Sequence, residues 1–214
     1  MSYIIFGSYD TRDTGLIIAP YEIPMPKVQT QLVSIPGRDG TLDLSECTGA
    51  VRYGDRNITV TLYAVGDYQD VLSGFVNAVH GKRMDIVFDR YPDFHFTGRV
   101  DVSGIAKKDG YCQISVKITA EPYKYSNAAT ERTVISSSSV TLTNGRMPVV
   151  PTVICTVSCQ LDFTAWDGST AHAVLSSGTH LVPDLLLLEG DRKTVTVTLM
   201  GSGSVKFRYT EGEL

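Results

Sequence analysis

The stretch VSIPGRDGTLDLSECTGAVRYGDRNITVTLY, residues 33–63, decides how the chain folds. Its apolar residues alternate at Leu42/Leu44 and again at Ile58/Val60/Leu62, which is the period of a strand with one face buried. Turn chemistry at Pro36-Gly37 and Asp39-Gly40 interrupts the pattern, so the segment reads as strand, turn, strand, extended loop, strand. These are the residues of a scaffold, with no constellation that suggests catalysis.

The spacing after this segment predicts one helix. Asp67 is its expected N-cap, with Asp70 three positions on; Val71, Leu72, Phe75, Val76 and Val79 form one apolar face, and Gly81 ends it. Gly74 inside the helix costs about 1 kcal/mol relative to Ala. Strands are expected at 58–63, 84–88, 94–103 and 111–119, the last two facing each other across Lys107-Lys108-Asp109-Gly110. Cys112, Ile114, Val116 and Ile118 alternate with polar residues, so the last of these strands is half buried.

Past Tyr125 the composition shifts. Ser and Thr number 16 in residues 1–125 but 24 in the remaining 89, and the aperiodic segment SNAAT, residues 126–130, separates the two regions. We therefore expect two domains, 1–127 and 128–214. The second has no helical period, only short alternating runs divided by turns such as Asn144-Gly145, Asp167-Gly168 and Gly201-Ser202-Gly203. It reads as a β-sandwich. Both glycine-turn flanks, Val195/Val197/Leu199 and Val205/Phe207/Tyr209, alternate cleanly.

Length and composition bound the function classes. At 214 residues, 43% hydrophobic and 20% charged, the chain can bury a substantial core and lies outside the disordered class. The net charge of −4 is evenly divided, with 13 basic against 15 acidic residues in 1–125 and 6 against 8 in 126–214, so no basic stripe suited to phosphate binding stands out. The start MSYIIFGSYD has no signal-peptide pattern, and assembly in a cytoplasm is the expectation.

Cys47, Cys112, Cys155 and Cys159 include no C-x-x-C pair. If VICTVSCQLDF, residues 153–163, is one strand rising about 3.3 Å per residue, Cys155 and Cys159 lie roughly 13 Å apart on one face, too far to pair. All four are expected to be reduced, small buried hydrophobes or plain thiols.

Candidate chemistry is sparse. His80, His95, His172 and His180 have no metal-ligand spacing; the G-x-S-x-G elbow is absent, and Gly201-x-Gly203 lies between strands without a G-K-[ST] sequence after it. Asp10/Asp13 and Asp89/Asp93 fall near turns, where Asp bonds the local backbone. No catalytic residue, cofactor or metal site is expected. Two groups remain. Arg38, Asp39 and Asp43, with Arg52 and Arg56 after them, are either solvated or in salt-bridged contact with neighbouring copies. Trp166, the only tryptophan, stands before the Asp167-Gly168 turn, where an aromatic closes the core, fills an interface or stacks on a sugar.

The order IPGRDGTLDL, Tyr-rich link, RNITVTLY, helix, IVFD, GRV and a closing EPYKY resembles the N-terminal domain of the distal tail (Dit) proteins of long-tailed phages, and GSGSVKFRYTEGEL after LLLLEGDRKTVTVTL is similar to that family's terminal sandwich. The resemblance implies a mainly β fold, a tail-tube-like domain with one helix followed by a galectin-like sandwich. It also implies a structural virion protein: a homo-hexameric ring around a DNA channel, joining the tail-tube and tape-measure proteins to the baseplate hub, with receptor-binding proteins held at the rim. In that setting Arg38, Asp39, Asp43, Arg52 and Arg56 would cross a subunit boundary. The alternative is a carbohydrate-binding module acting through the second domain near Trp166.

Overall fold

A computed structural model of the chain describes residues 2–47 and 51–214. Contacts divide it into two units, one running to Lys124 and including Leu214, the other Tyr125–Glu213. The chain is mainly β, as the sequence predicts, with several antiparallel sheets.

In the first unit the elements are β1 (Ile4–Phe6), β2 (Tyr9–Asp10), β3 (Ile17–Ile18), β4 (Leu32–Ser34), β5 (Thr41–Asp43), β6 (Arg56–Val65), α1 (Gln69–Val79), β7 (Arg83–Phe88), β8 (Phe94–Lys108) and β9 (Tyr111–Ala120). Seven strands form an antiparallel path in the order β2-β1-β7-β8-β9-β6-β3, while β4 and β5 form a separate two-stranded sheet. Strict alternation in β6 and β9 turns Ile58, Val60, Leu62, Ile114, Val116 and Ile118 to one face. Leu72, Phe75 and Val79 of α1, three and four residues apart, pack on the same core, where Phe75 meets Phe6 edge to face at 5.5 Å.

Two predicted details change. The residue preceding α1 is Tyr68, not Asp67, and no side chain caps the helix; Tyr68 packs against the core, so apolar burial sets the helix start in place of capping chemistry. Asp70 remains in the first turn, where its charge suits the dipole. The β8–β9 hairpin is longer than expected. β8 continues past a bulge at Val102/Gly104 to Lys108, and its loop is only Asp109-Gly110, with Gly110 at φ +80°. The extension, residues 103–108, is exposed on both faces, so no apolar period announces it; ladder bonds to β9 hold it extended.

β10 (Lys124–Ser126) carries the chain across the division. The second unit then contains β11 (Thr130–Val134), β12 (Ser138–Thr143), β13 (Thr152–Cys155), β14 (Cys159–Thr164), β15 (Thr170–Leu175), β16 (Gly178–Leu181), β17 (Arg192–Leu199), β18 (Val205–Tyr209) and β19 (Gly212–Glu213). Two four-stranded sheets, β11-β18-β13-β16 and β12-β17-β14-β15, share one core. Val153, Val205 and Phe207 enter it from the first sheet and Leu161, Val195 and Val197 from the second, so the expected sandwich is present.

The strand expected at 153–163 is broken. Residues 156–158 turn the chain from β13 in one sheet to β14 in the other, which overturns the estimate that Cys155 and Cys159 lie 13 Å apart: their sulfurs are 3.5 Å from each other. The turn adds an odd number of residues, so inward-facing positions keep their parity across the crossover. Alternation alone therefore reads as one strand.

Candidate functional site

Residues 32–43 fold as a ribbon outside the buried core cluster. β4 and β5 pair Leu32 with Asp43, Val33 with Leu42 and Ser34 with Thr41. The connection turns through Gly37 and Gly40, at φ +81° and +77°, values that side chains with a Cβ rarely adopt. Every residue of β4 is exposed, and so are Ile35, Arg38, Asp39 and Asp43. Arg38 and Asp39 thus stand at the tip, as expected of a projecting hairpin.

At the base the ribbon is fastened to its own unit. The Leu44 N–H donates to the Gln31 carbonyl at 2.8 Å, the Gln29 N–H to the Arg52 carbonyl at 2.8 Å, and the Gly54 N–H to the Lys27 carbonyl at 2.8 Å. Asp43 serves locally: its Oδ1 accepts the Ser45 N–H at 2.9 Å and the Ser45 hydroxyl, and Ser45 Oγ accepts the Gln31 N–H at 2.8 Å. The Ser45 hydroxyl, then its N–H, holds the Asp43 carboxyl below its ordinary value, so Asp43 is an anion with one oxygen still open to solvent. Gln29, Gln31, Leu44, Ser45, Cys47 and Arg52 border an open concavity of about 330 Å³ at this base.

Arg56 departs from expectation. It is buried inside the first unit, donating from Nε to the Pro122 carbonyl at 2.6 Å and from Nη1 to the Pro24 carbonyl at 3.1 Å, with its guanidinium over the Phe96 ring at 5.5 Å. Burial pulls its pKa down. A side chain enclosed by its own subunit does not reach across a boundary, so Arg56 is a tether for the segments ending at Pro24 and Pro122. The signal was present: Arg56 shares the parity of Ile58, Val60 and Leu62.

Sequence reasoning also passed over the apolar residues around the ribbon. Met25, Val28, Leu32, Val33 and Ile35 are all exposed. Val33, Ile35 and their cross-strand neighbour Leu42 share one face of the ribbon, and Leu32 lies on the other. The alternation of Val33 and Ile35 was visible, but no partner for it was.

In the second unit, Trp166 sits in the β14–β15 connection and is 57% exposed, so it does not close the core. The neighbouring turn is held by Asp167, whose Oδ1 accepts the Ser169 N–H at 2.9 Å and its hydroxyl at 2.6 Å. The register places Asp162 opposite His172, with Oδ1 of the carboxylate 2.5 Å from the imidazole Nδ1 and 2.9 Å from Gln160 Nε2. Gln160 first and His172 second hold that carboxyl below its ordinary value. Among the described residues no group of three or more His, Cys, Asp or Glu is arranged to hold a metal ion.

No family model matches the chain, and no curated protein does. Among solved structures it is similar to the Dit protein (gp 19.1) of phage SPP1, described as a paradigm of the hub adsorption apparatus in phages that infect Gram-positive bacteria; the TM-score is 0.71 at 14% identity, with 100% of each chain covered. At that identity the likeness is one of fold, and it extends over the whole length: the resemblance drawn from the order of short motifs holds in three dimensions, and the chain has the fold of a Dit protein.

Proposed function

We propose that the chain is a structural subunit of a phage tail tip, a distal tail protein that closes into a homo-hexameric ring between the tail tube and the baseplate hub. The full-length likeness to SPP1 Dit is the observation that carries this reading. The tail-tube and tape-measure proteins would lie on one side of the ring and the hub on the other, with receptor-binding proteins at the rim and DNA passing through the centre. A chain of net charge −4 suits such a channel, since it should not retain phosphate.

The exposed ribbon supports the assembled state. An isolated β-hairpin is marginal in water, and one carrying Leu32, Val33 and Ile35 into solvent gains from a neighbouring subunit that covers them. Arg38, Asp39 and Arg52 then lie at the edges of that contact, where charge fixes register and partner choice more than affinity. Native mass spectrometry and negative-stain imaging of the full-length protein test the proposal. Six copies around an open channel are expected; a monomer at every concentration that also fails to bind the tail-tube protein refutes it.

The exposure of Trp166 favours a second reading, a carbohydrate-binding module in which the indole stacks on a sugar. Glycan-array binding of the full-length protein in the sub-millimolar range, lost on Trp166→Ala, would promote it.

A further inference from the structure

We propose that Cys155 and Cys159 form a dithiol modification site, oxidised by small-molecule disulfides to an intramolecular disulfide that ties the two sheets of the second unit together. Cys155 ends β13 and Cys159 begins β14, strands in opposite sheets, and the two sulfurs are in contact at 3.5 Å within the core. Closing the gap to an S–S bond of about 2.0 Å needs a movement of about 1.5 Å, within the range that rotation of two Cys side chains supplies.

Hydrogen bonds between residues 156–158 and the β17–β18 connection hold the intervening turn in place. The Thr156 N–H donates to the Ser204 carbonyl at 3.0 Å, the Ser204 N–H to Thr156 Oγ1 at 2.7 Å and the Met200 N–H to the Ser158 carbonyl at 2.9 Å. Gly203 completes this packing. A Cβ there would come within 2.6 Å of both Thr156 Oγ1 and Val157 Cγ1. The turn between the two thiols is thereby held in place by contacts that do not involve either sulfur.

The reaction balances as two exchanges. Cys155, which retains slight exposure where Cys159 has none, loses its proton and attacks one sulfur of oxidised glutathione, releasing one glutathione and leaving a mixed disulfide. Cys159 then loses its proton and displaces the second glutathione. The protein thiols are oxidised, the small disulfide is reduced, and the two protons end on the released thiols. Burial, and then the adjacent Cys159, push the Cys155 thiol up to about 12, which slows the first attack at neutral pH and makes the step faster as pH rises.

The test uses the full chain carrying Cys47→Ser, which removes the exposed thiol and leaves Cys112, Cys155 and Cys159. After incubation with oxidised glutathione at mildly alkaline pH, we expect the mass to fall by two hydrogens with no glutathione retained. Alkylation after unfolding should then modify Cys112 alone, and the melting midpoint should rise and return on treatment with dithiothreitol. Cys155→Ala and Cys159→Ala should each abolish the mass loss. Three alkylated thiols, a stable glutathione adduct at Cys155, or a melting midpoint that does not rise on oxidation would overturn the proposal, and none of these readouts requires the alanine variants to fold.

Discussion

Replacing Leu32, Val33 and Ile35 together by Thr separates the exposed apolar side chains on the two faces of the ribbon from its charges as the force behind the proposed assembly. The three residues are 56%, 38% and 39% exposed in the single chain, the equivalent of about 1.3 fully exposed apolar residues open to burial. At roughly 1.5–3 kcal/mol for a fully buried aliphatic side chain, a neighbour that covers them contributes about 2–4 kcal/mol per boundary. Thr keeps the β-branched preference for extended backbone at all three positions, so the ribbon persists while the larger part of that gain goes. Each contact should weaken at least tenfold, since about 1.4 kcal/mol is one decade. The melting midpoint of the monomer should hardly move, because none of the three packs on a core. Sedimentation velocity across a concentration series reads the result. Charge reversal at Arg38 and Asp39 provides the comparison, and should act less strongly and chiefly at low salt, since exposed pairs are weak and screened. If the Thr variant assembles at the same concentration as the parent while the charge reversal does not, the ranking of apolar contact over ion pairs is wrong.

Three further outcomes follow from particular contacts. Gly98→Ala should cost about 2–3 kcal/mol by chemical denaturation, because a Cβ there would stand 2.8 Å from the Ala120 Cα and the Thr119 carbonyl oxygen, backbone atoms of the paired strand that cannot rotate away. Arg56→Met should cost about 2–4 kcal/mol in the unassembled protein by leaving the Pro24 and Pro122 carbonyls without their donor; an effect confined to assembly would restore Arg56 to the boundary. Stability should fall in alkali. Tyr21, partly buried and donating to Asp89, and Tyr209, buried and donating to the Thr143 carbonyl at 2.6 Å, both have raised pKa values, so each contributes stability present below the unfolded value of about 10 and lost as pH rises through its folded value. Tyr21→Phe with Tyr209→Phe should flatten that limb of a pH–stability curve.

Much of the architecture was legible because burial by the chain itself leaves a period. Val71, Leu72, Phe75, Val76 and Val79 announced α1, and Cys112, Ile114, Val116 and Ile118 announced β9. Turn chemistry was equally reliable at Pro36-Gly37 and Asp39-Gly40, where positive φ is required. Failures arose where the period is silent. Residues 103–108 are extended without an apolar face, and parity runs unbroken from Val153 to Phe163 although the chain changes sheets between Cys155 and Cys159. That crossover hid the closest sulfur pair in the second unit, since a distance along one strand cannot represent a contact across two sheets.

The ribbon presents the opposite case, a period without burial. Val33 and Ile35 alternate as regularly as Ile58 and Val60, yet the second pair lies in the core and the first faces solvent. An apolar alternation marks a face that gains from being covered, and the cover need not belong to the same chain. Arg56 completes the contrast, because its guanidinium is enclosed by its own subunit while Leu32 is not. Judged by charge, Arg56 belongs at a boundary and Leu32 in a core; judged by exposure, their places reverse. Exposure is the better guide here, for a half-exposed leucine on a two-stranded ribbon has apolar surface still to bury, whereas a buried arginine has already lost its water and gained the carbonyls of Pro24 and Pro122 in return. On the assembly proposed above, the surface of this chain that a partner would cover is therefore the exposed apolar residues of the ribbon, with Arg38 and Asp39 at its tip bearing on which partner fits.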